Sequence, residues 1–330
     1  MKESRIGVVS FEHMHALSYT QQLLKYPEVV LVGIADEDEK RGKEMAAKFQ
    51  TTYYRSYEAL LDEQLDGVII CTNNRDHAKV SIAAAKKGLH ILVEKPFATT
   101  IADAKAMLAA AREAGVQIMN AFPMRFNPNV IAAKKKIDAG LIGEVLTITS
   151  INHGKIPGLW FIDPSLSGGG AVMDHTVHLG DLIRWFTGSE IKSVFCESGE
   201  LLHHKGIDDT GLVMIELDNG VFATIDCSWA HHANYPIWAQ VDMQIIGTKG
   251  VIELKAFAQV LHLDDQTNQC FEDISWNEEG DEGLIKEFVQ VCATGKTPLV
   301  TGLDGLRALE IALASYESSR TNEAVSLTQD

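Results

Sequence analysis

Gly88-Leu89-His90-Ile91-Leu92-Val93-Glu94-Lys95-Pro96 decides how this chain is read. Gly88 stops a helix, and the apolar run up to Val93 has the form of a strand buried on both faces, as parallel sheets require. Pro96 cannot donate to a sheet ladder and drives the residue before it toward extended backbone. Lys95 is therefore expected at the carboxyl end of a strand, the edge where open α/β sheets hold their ligands. Many strands end in a charged residue, so the motif takes its weight from the rest of the chain.

Outward from this stretch, apolar runs recur at 6–9, 29–35, 67–71, 90–93 and 116–119, with helical patterns at 76–87 and 101–114. Gly88 and Gly115 suit the helix ends, and Thr99 or Thr100 an N-cap. Alternation of strand and helix predicts a parallel, doubly wound sheet over residues 1–122, a Rossmann dinucleotide-binding domain. From 123 to 330 the pattern changes. A helix at 128–139, a strand at 144–152 and a helix at 170–187 precede two hairpins. These turn at Asp218-Asn219-Gly220 and Thr248-Lys249-Gly250. Helices at 282–293 and 303–318 close the chain, the last expected to pack back toward the first domain. The expected class is α/β, a Rossmann domain followed by an α+β domain with a large, mainly antiparallel open sheet. The sheet's uncovered face favours self-association.

The 330 residues carry a formal charge of −16, which argues against nucleic-acid and anionic-membrane partners. Five scattered cysteines without a C-x-x-C spacing fit reduced thiols in a cytoplasmic protein. The amino terminus runs straight into a strand, leaving no room for a secretory signal, and no apolar run reaches membrane-spanning length.

The first turn breaks the expected pattern. A dinucleotide-binding sheet opens with strand, G-x-G-x-x-G, helix. Here Ile6-Gly7-Val8-Val9 leads into Ser10-Phe11-Glu12-His13-Met14-His15. Glu12 adds a carboxylate beside any phosphate, a repulsion of roughly 4 kcal/mol at close range. Its side chain must turn away, or be offset by His13 or His15. A helix N-terminus still attracts an anion, so Ser10, Phe11, His13 and Met14 remain candidate cofactor contacts. Asp36 ends the second strand, where an acid can hold ribose hydroxyls and repel a 2′-phosphate. NAD is thus expected over NADP, with Lys40 and Arg41 leaving the second open. Thr72, Asn73 and His77 follow the 67–71 strand and suit ribose or amide contacts, or plain helix capping.

A second constellation follows Gly168-Gly169-Gly170. Asp174 and His178 share one helical face and form a carboxylate–imidazole pair able to move a proton. His178 and Asp181 offer another local pair. Asp174, His175, His178 and His153 include metal-ligand types, but His175 lies about 100° around the helix from Asp174, so no metal is expected.

In order along the chain, Cys71-Thr72-Asn73-Asn74 with His77, Val93-Glu94-Lys95-Pro96-Phe97, Arg125-Phe126-Asn127-Pro128, Gly140-Leu141-Ile142-Gly143-Glu144 and Gly168-Gly169-Gly170-x-x-x-Asp174-x-x-x-His178-x-x-Asp181 resemble the Gfo/Idh/MocA family of sugar and polyol oxidoreductases. The resemblance spans nearly the whole chain; the first loop departs from it. It implies an NAD(P)-dependent enzyme transferring hydride between nicotinamide and a carbinol carbon of a sugar, cyclitol or related polyol. Lys95 would stabilise alkoxide charge, His178 act as general base, and Asp174 orient the hydroxyl and tune His178. Glu94 would lie near the cofactor, Arg125 near cofactor and substrate, and His153, His175 and Trp160 would line the sugar pocket or pack, with packing favoured for Trp160; a homodimer or homotetramer through the open sheet is implied as well. Alternatives are a redox-neutral glycoside-cleaving or lyase enzyme with retained NAD, and a non-catalytic nucleotide sensor.

Overall fold

The computed structural model describes residues 3–257, 260–265, 270–275 and 280–327. The chain divides into two compact units: Met1–Pro123 with Ser165–Gly168 and Asp281–Leu306, and Met124–Pro164 with Gly169–Gly280 and Arg307–Asp330.

In the first unit, strands β1 (Ser4–Val9), β2 (Val29–Ala35), β3 (Thr52–Tyr54), β4 (Gly67–Ile70), β5 (His90–Val93) and β6 (Ile118–Asn120) form one sheet in the order β3-β2-β1-β4-β5-β6. Every neighbouring pair is parallel. This is the doubly wound order, and the apolar runs of β4 and β5 are buried because helices cover both faces. Helices α1 (His15–Leu23), α2 (Glu39–Lys48), α3 (Tyr57–Leu61), α4 (His77–Lys86) and α5 (Ile101–Ala114) make the crossovers. Thr100 caps α5 by accepting the Asp103 amide, and Gly115 ends it with a φ of 69° that a side chain would strain. Of these strands, β3 escapes the sequence reading, because three residues are too short to show a period.

In the second unit come α6 (Pro128–Asp138), β7 (Val145–Gly154), α8 (Ala171–Thr187), β8 (Ile191–Gly199), β9 (Thr210–Leu217), β10 (Phe222–Asp226), β11 (Ala239–Gly247) and β12 (Gly250–Lys255), while α7 (Pro164–Ser167), between β7 and α8 in the chain, belongs to the first unit from Ser165 on. A separate hairpin pairs β13 (Val260–Asp265) with β14 (Cys270–Ser275). Then α9 (Asp281–Thr294) packs on α1 within the first unit. Helix α10 (Gly302–Thr321) and β15 (Val325–Ser326) follow. The large sheet runs β12-β11-β7-β10-β9-β8-β15, parallel only between β7 and β10. Strict alternation along β9 buries Gly211, Val213, Ile215 and Leu217 and leaves Leu212, Met214 and Glu216 on the other face. Helix α8 packs on the buried face, against β7, β9 and β10.

Candidate functional site

In the first unit the ligand edge is built by the loop after β1 and the ends of β2, β4 and β5. Ser10 takes a φ of 69°, the left-handed backbone that the first glycine of a fingerprint would supply. Its hydroxyl accepts the Glu12 amide at 3.0 Å. Glu12 reaches to the segment after β4. Its Oε2 accepts from the Asn73 backbone amide and side-chain amide at 3.0 and 3.1 Å. Asn73 is thus an internal brace for the loop. Asp36 is buried, and each carboxylate oxygen accepts twice. Oδ2 takes Phe11 N and Arg41 Nε, both at 2.8 Å; Oδ1 takes Arg41 Nη2 at 2.7 Å and Asp38 N at 3.0 Å. A ribose hydroxyl must therefore compete with Arg41 for this acid. Ser10, Thr72 and Asn73 are buried beside these contacts, whereas Met14 is exposed.

Glu94 is the electrostatic centre of this edge. It is 1 % exposed, and its Oε2 accepts the Lys95 backbone amide at 2.9 Å. Its Oε1 lies 3.0 Å from His15 Nδ1, and Oε2 3.7 Å from His13 Nε2. Burial would raise the Glu94 pKa, but His13, His15 and Lys95 together hold it well below the usual carboxylate range. Lys95 is also buried. Burial pushes His13 down to about 3 despite Glu94, so its ring is neutral. His13, His15 and Glu94 offer three ligand-type atoms within 4.8 Å of one another. His13 Nδ1, however, accepts the His15 amide at 3.2 Å, which keeps the ring proton on Nε2 and removes that lone pair from any ion. The trio is better described as a hydrogen-bonded cluster than as a metal centre. His77 has no exposed surface and its Nδ1 donates to the Pro96 carbonyl at 2.9 Å. Through Nδ1 it fastens the turn that carries Lys95.

In the second unit α8 carries the other candidates. The glycine run before it serves close backbone approach: a Cβ on Gly170 would run into the Asp208 carbonyl oxygen, and one on Gly169 into the Tyr316 hydroxyl. Asp208 accepts the Gly170 and Val172 amides, both at 2.9 Å, and Tyr316 Oη accepts those of Gly170 and Met173 at 2.9 and 3.1 Å. The helix N-terminus is thereby satisfied from residues 38 and 146 positions away. Asp174 Oδ2 accepts from the buried indole of Trp229 at 3.0 Å and lies 3.3 Å from His175 Nε2. His175 Nδ1 donates to the Cys227 carbonyl at 3.0 Å. Asp174 therefore meets the adjacent His175 and the distant Trp229, neither of which the four-residue spacing to His178 signals. Asp181 likewise meets Arg125, in a buried fork of Nε to Oδ2 at 2.7 Å and Nη2 to Oδ1 at 2.6 Å. Nε and Nη2 of Arg125, a residue expected near the cofactor and substrate, are engaged in that fork.

Strand alternation sends His153 to the face of β7 opposite α8, the helix that carries His175. Asn152 and Gly154 of β7 face α8, where Asn152 Nδ2 donates to the His175 carbonyl at 3.2 Å. His153 points to the opposite face and pairs with Asp226 at 2.9 Å. Trp160 is 7 % exposed and stacks on Phe161 at 3.8 Å, a packing role. Sequence reading missed Trp229, Asp208, Tyr316 and the His15–Glu94 bond. All four are long-range contacts with no local signature.

Two family models match the chain: the oxidoreductase family with an NAD-binding Rossmann fold over residues 5–122, and the GFO/IDH/MocA C-terminal domain over 130–253. The chain is 27 % identical to a myo-inositol 2-dehydrogenase of Thermotoga maritima, over 98 % of this chain and 99 % of that protein. It is 31 % identical to a 2,7-anhydro-N-acetylneuraminate hydratase of Escherichia coli, over 79 % and 73 % of the two. In fold it resembles GenD2 of gentamicin A biosynthesis, solved in complex with NAD, with a TM-score of 0.92 at 24 % identity, covering 100 % of this chain and 97 % of that one. The buried Glu94-Lys95 step at the end of β5, the doubly wound sheet and the glycine-led helix with Asp174 and His178 are therefore features of a member of the GFO/IDH/MocA oxidoreductase family, to which this chain belongs.

Proposed function

We propose that the protein is an NAD-dependent dehydrogenase or reductase acting on a CH–OH carbon of a cyclitol, sugar or related polyol. The observation that carries this reading is the buried Glu94-Lys95 pair at the ligand edge of the parallel sheet. The residues fit the cofactor: Ser10 supplies the left-handed turn without glycine, and Asp36 ends β2 where the adenosine ribose is held. When bound, the nicotinamide accepts or returns the hydride. Lys95 contributes an ammonium that stabilises alkoxide charge on the reacting oxygen. His178 takes the hydroxyl proton, and Asp174 holds the hydroxyl in line. His175 and Trp229 orient Asp174 by occupying one of its oxygens.

The test is nicotinamide absorbance at 340 nm against a panel of inositols and aldoses. Lys95→Ala is expected to lower kcat/KM by about 10²–10³-fold or more with an unchanged circular dichroism spectrum. Undiminished turnover in that variant rejects the role. The hydratase relative favours one second reading, a redox-neutral reaction with retained NAD. Product formation without net change at 340 nm separates the two. Among the described residues four cysteines are free and buried, which supports a cytoplasmic setting, and no helix is long and apolar enough to cross a membrane.

Self-association through the open sheet is part of the same reading. Leu212, Met214 and Phe222 are each more than half exposed on the face opposite α8.

A further inference from the structure

Between β1 and α1, the backbone donors of Phe11, Glu12, His13 and His15 are spent internally. Phe11 N donates to Asp36, Glu12 N to Ser10 Oγ, His13 N to the Cys71 carbonyl and His15 N to His13 Nδ1, at 2.8, 3.0, 3.0 and 3.2 Å. In a glycine fingerprint the loop backbone approaches the pyrophosphate closely. Here that approach is curtailed, and a side chain must supply what the amides do not.

His15 is placed to do so. It opens α1 and its side chain is 35 % exposed, while the carboxylate behind it is fully buried. Glu94 Oε1 accepts from Nδ1 at 3.0 Å, so Nδ1 carries a proton in either charge state. Protonation therefore occurs at Nε2, turning an acceptor that repels an anion into a charged donor. The groups facing this ring are Glu94 and Lys95 after β5, His13 in the loop, Tyr19 on α1 and Asp281 on α9. Burial opposes charge on His15 and Lys95 adds to that, but Glu94 and Asp281 outweigh both and hold its pKa above the ordinary value. His13, neutral and edge-on at 4.7 Å, does not compete as a cation.

We propose that His15 is the cationic contact for the pyrophosphate of the dinucleotide, replacing the missing glycine loop, with Glu94 as its positioning partner. The assignment rests on the cofactor reading above. It makes cofactor affinity fall as pH rises through the titration of this one ring.

The experiment is a binding titration of NADH, ADP-ribose and adenosine to the full-length protein from pH 6 to pH 9. NADH and ADP-ribose are expected to weaken by on the order of tenfold or more across that range, while adenosine, which lacks phosphate, stays flat. His15→Gln should bind NADH near the wild-type high-pH level at every pH, and His15→Arg should bind tightly throughout. Wild-type-like pH dependence in folded His15→Gln overturns the assignment, as does a parallel pH dependence for adenosine. The adenosine comparison needs wild-type protein alone and so survives a variant that fails to fold. No binding of any dinucleotide by wild type at any pH overturns the cofactor reading itself, and the assignment with it.

Discussion

Arg125 and Asp181 are 56 positions apart, and each sits in a motif that sequence spacing assigns elsewhere. Buried together, they form a two-pronged ion pair beneath the Trp185 ring. Removing one partner leaves the other charge unpaired out of water, which costs about 3–5 kcal/mol. Arg125→Met is expected to lose that much by urea denaturation, and the double variant with Asp181→Leu to recover most of it. Equal losses in single and double variants would show that packing, not charge, dominates. Asp36 makes the complementary case at the end of β2. Arg41 is paired with it at 2.7 Å, so Asp36→Ala frees a guanidinium suited to a 2′-phosphate. The ratio of kcat/KM for NADP to that for NAD is expected to rise by on the order of tenfold or more in steady-state assays. An unchanged ratio would mean that this acid does not read the ribose.

At the level of elements, α8 shows why a glycine run is ambiguous in sequence. Three glycines before a helix suit a ligand or a close backbone neighbour equally well. The structure brings the Asp208 strand-entry segment against Gly170 and Tyr316 of α10 against Gly169, all within the second unit. Gly170→Ala must displace the Asp208 backbone, and overpacking of this kind costs about 1–3 kcal/mol. Its melting temperature should fall by several degrees in a thermal scan. A melting temperature equal to wild type would show that the Asp208 segment yields freely. The hairpins were legible in advance because Asn219-Gly220 and Lys249-Gly250 are turn chemistry between alternating runs, and β9 pairs with β10 and β11 with β12 as expected. The β8 strand was not anticipated, since Lys192 and Ser193 interrupt its early alternation where the register also shifts.

For the molecule as a whole, pH and association are the informative variables. His13 is neutral in the folded chain, its pKa lowered from 6.5 to about 3 by burial. Below pH 6.5 the unfolded chain therefore binds a proton that the folded chain refuses. Stability contributed by this group is complete above pH 6.5 and falls by about 1.4 kcal/mol per unit as the pH drops toward 3. His13→Gln should flatten that part of the stability–pH curve in urea titrations, and an unaltered slope would contradict a buried neutral ring. The open sheet makes a separate prediction. Met214→Glu with Phe222→Glu places charge on its most apolar stretch and should reduce the mass measured by light scattering. If wild type is already monomeric, the sheet is not a self-association face.

What the sequence by itself determined was the alternation of elements, the class of both sheets, the position of Lys95 at a strand end and the placement of Asp174 on a glycine-led helix. Periodicity and turn chemistry are local, so they survive without coordinates. Only the tertiary structure decided which charge meets which: Asp174 with His175 and Trp229, Asp181 with Arg125, Glu12 with Asn73, and Glu94 with His15. It also sent His153 and Asn152 to opposite faces of β7. Apart from the adjacent His175, these partners are brought together by chain segments dozens of residues apart, and burial then selects the pairs whose hydrogen bonds are complete.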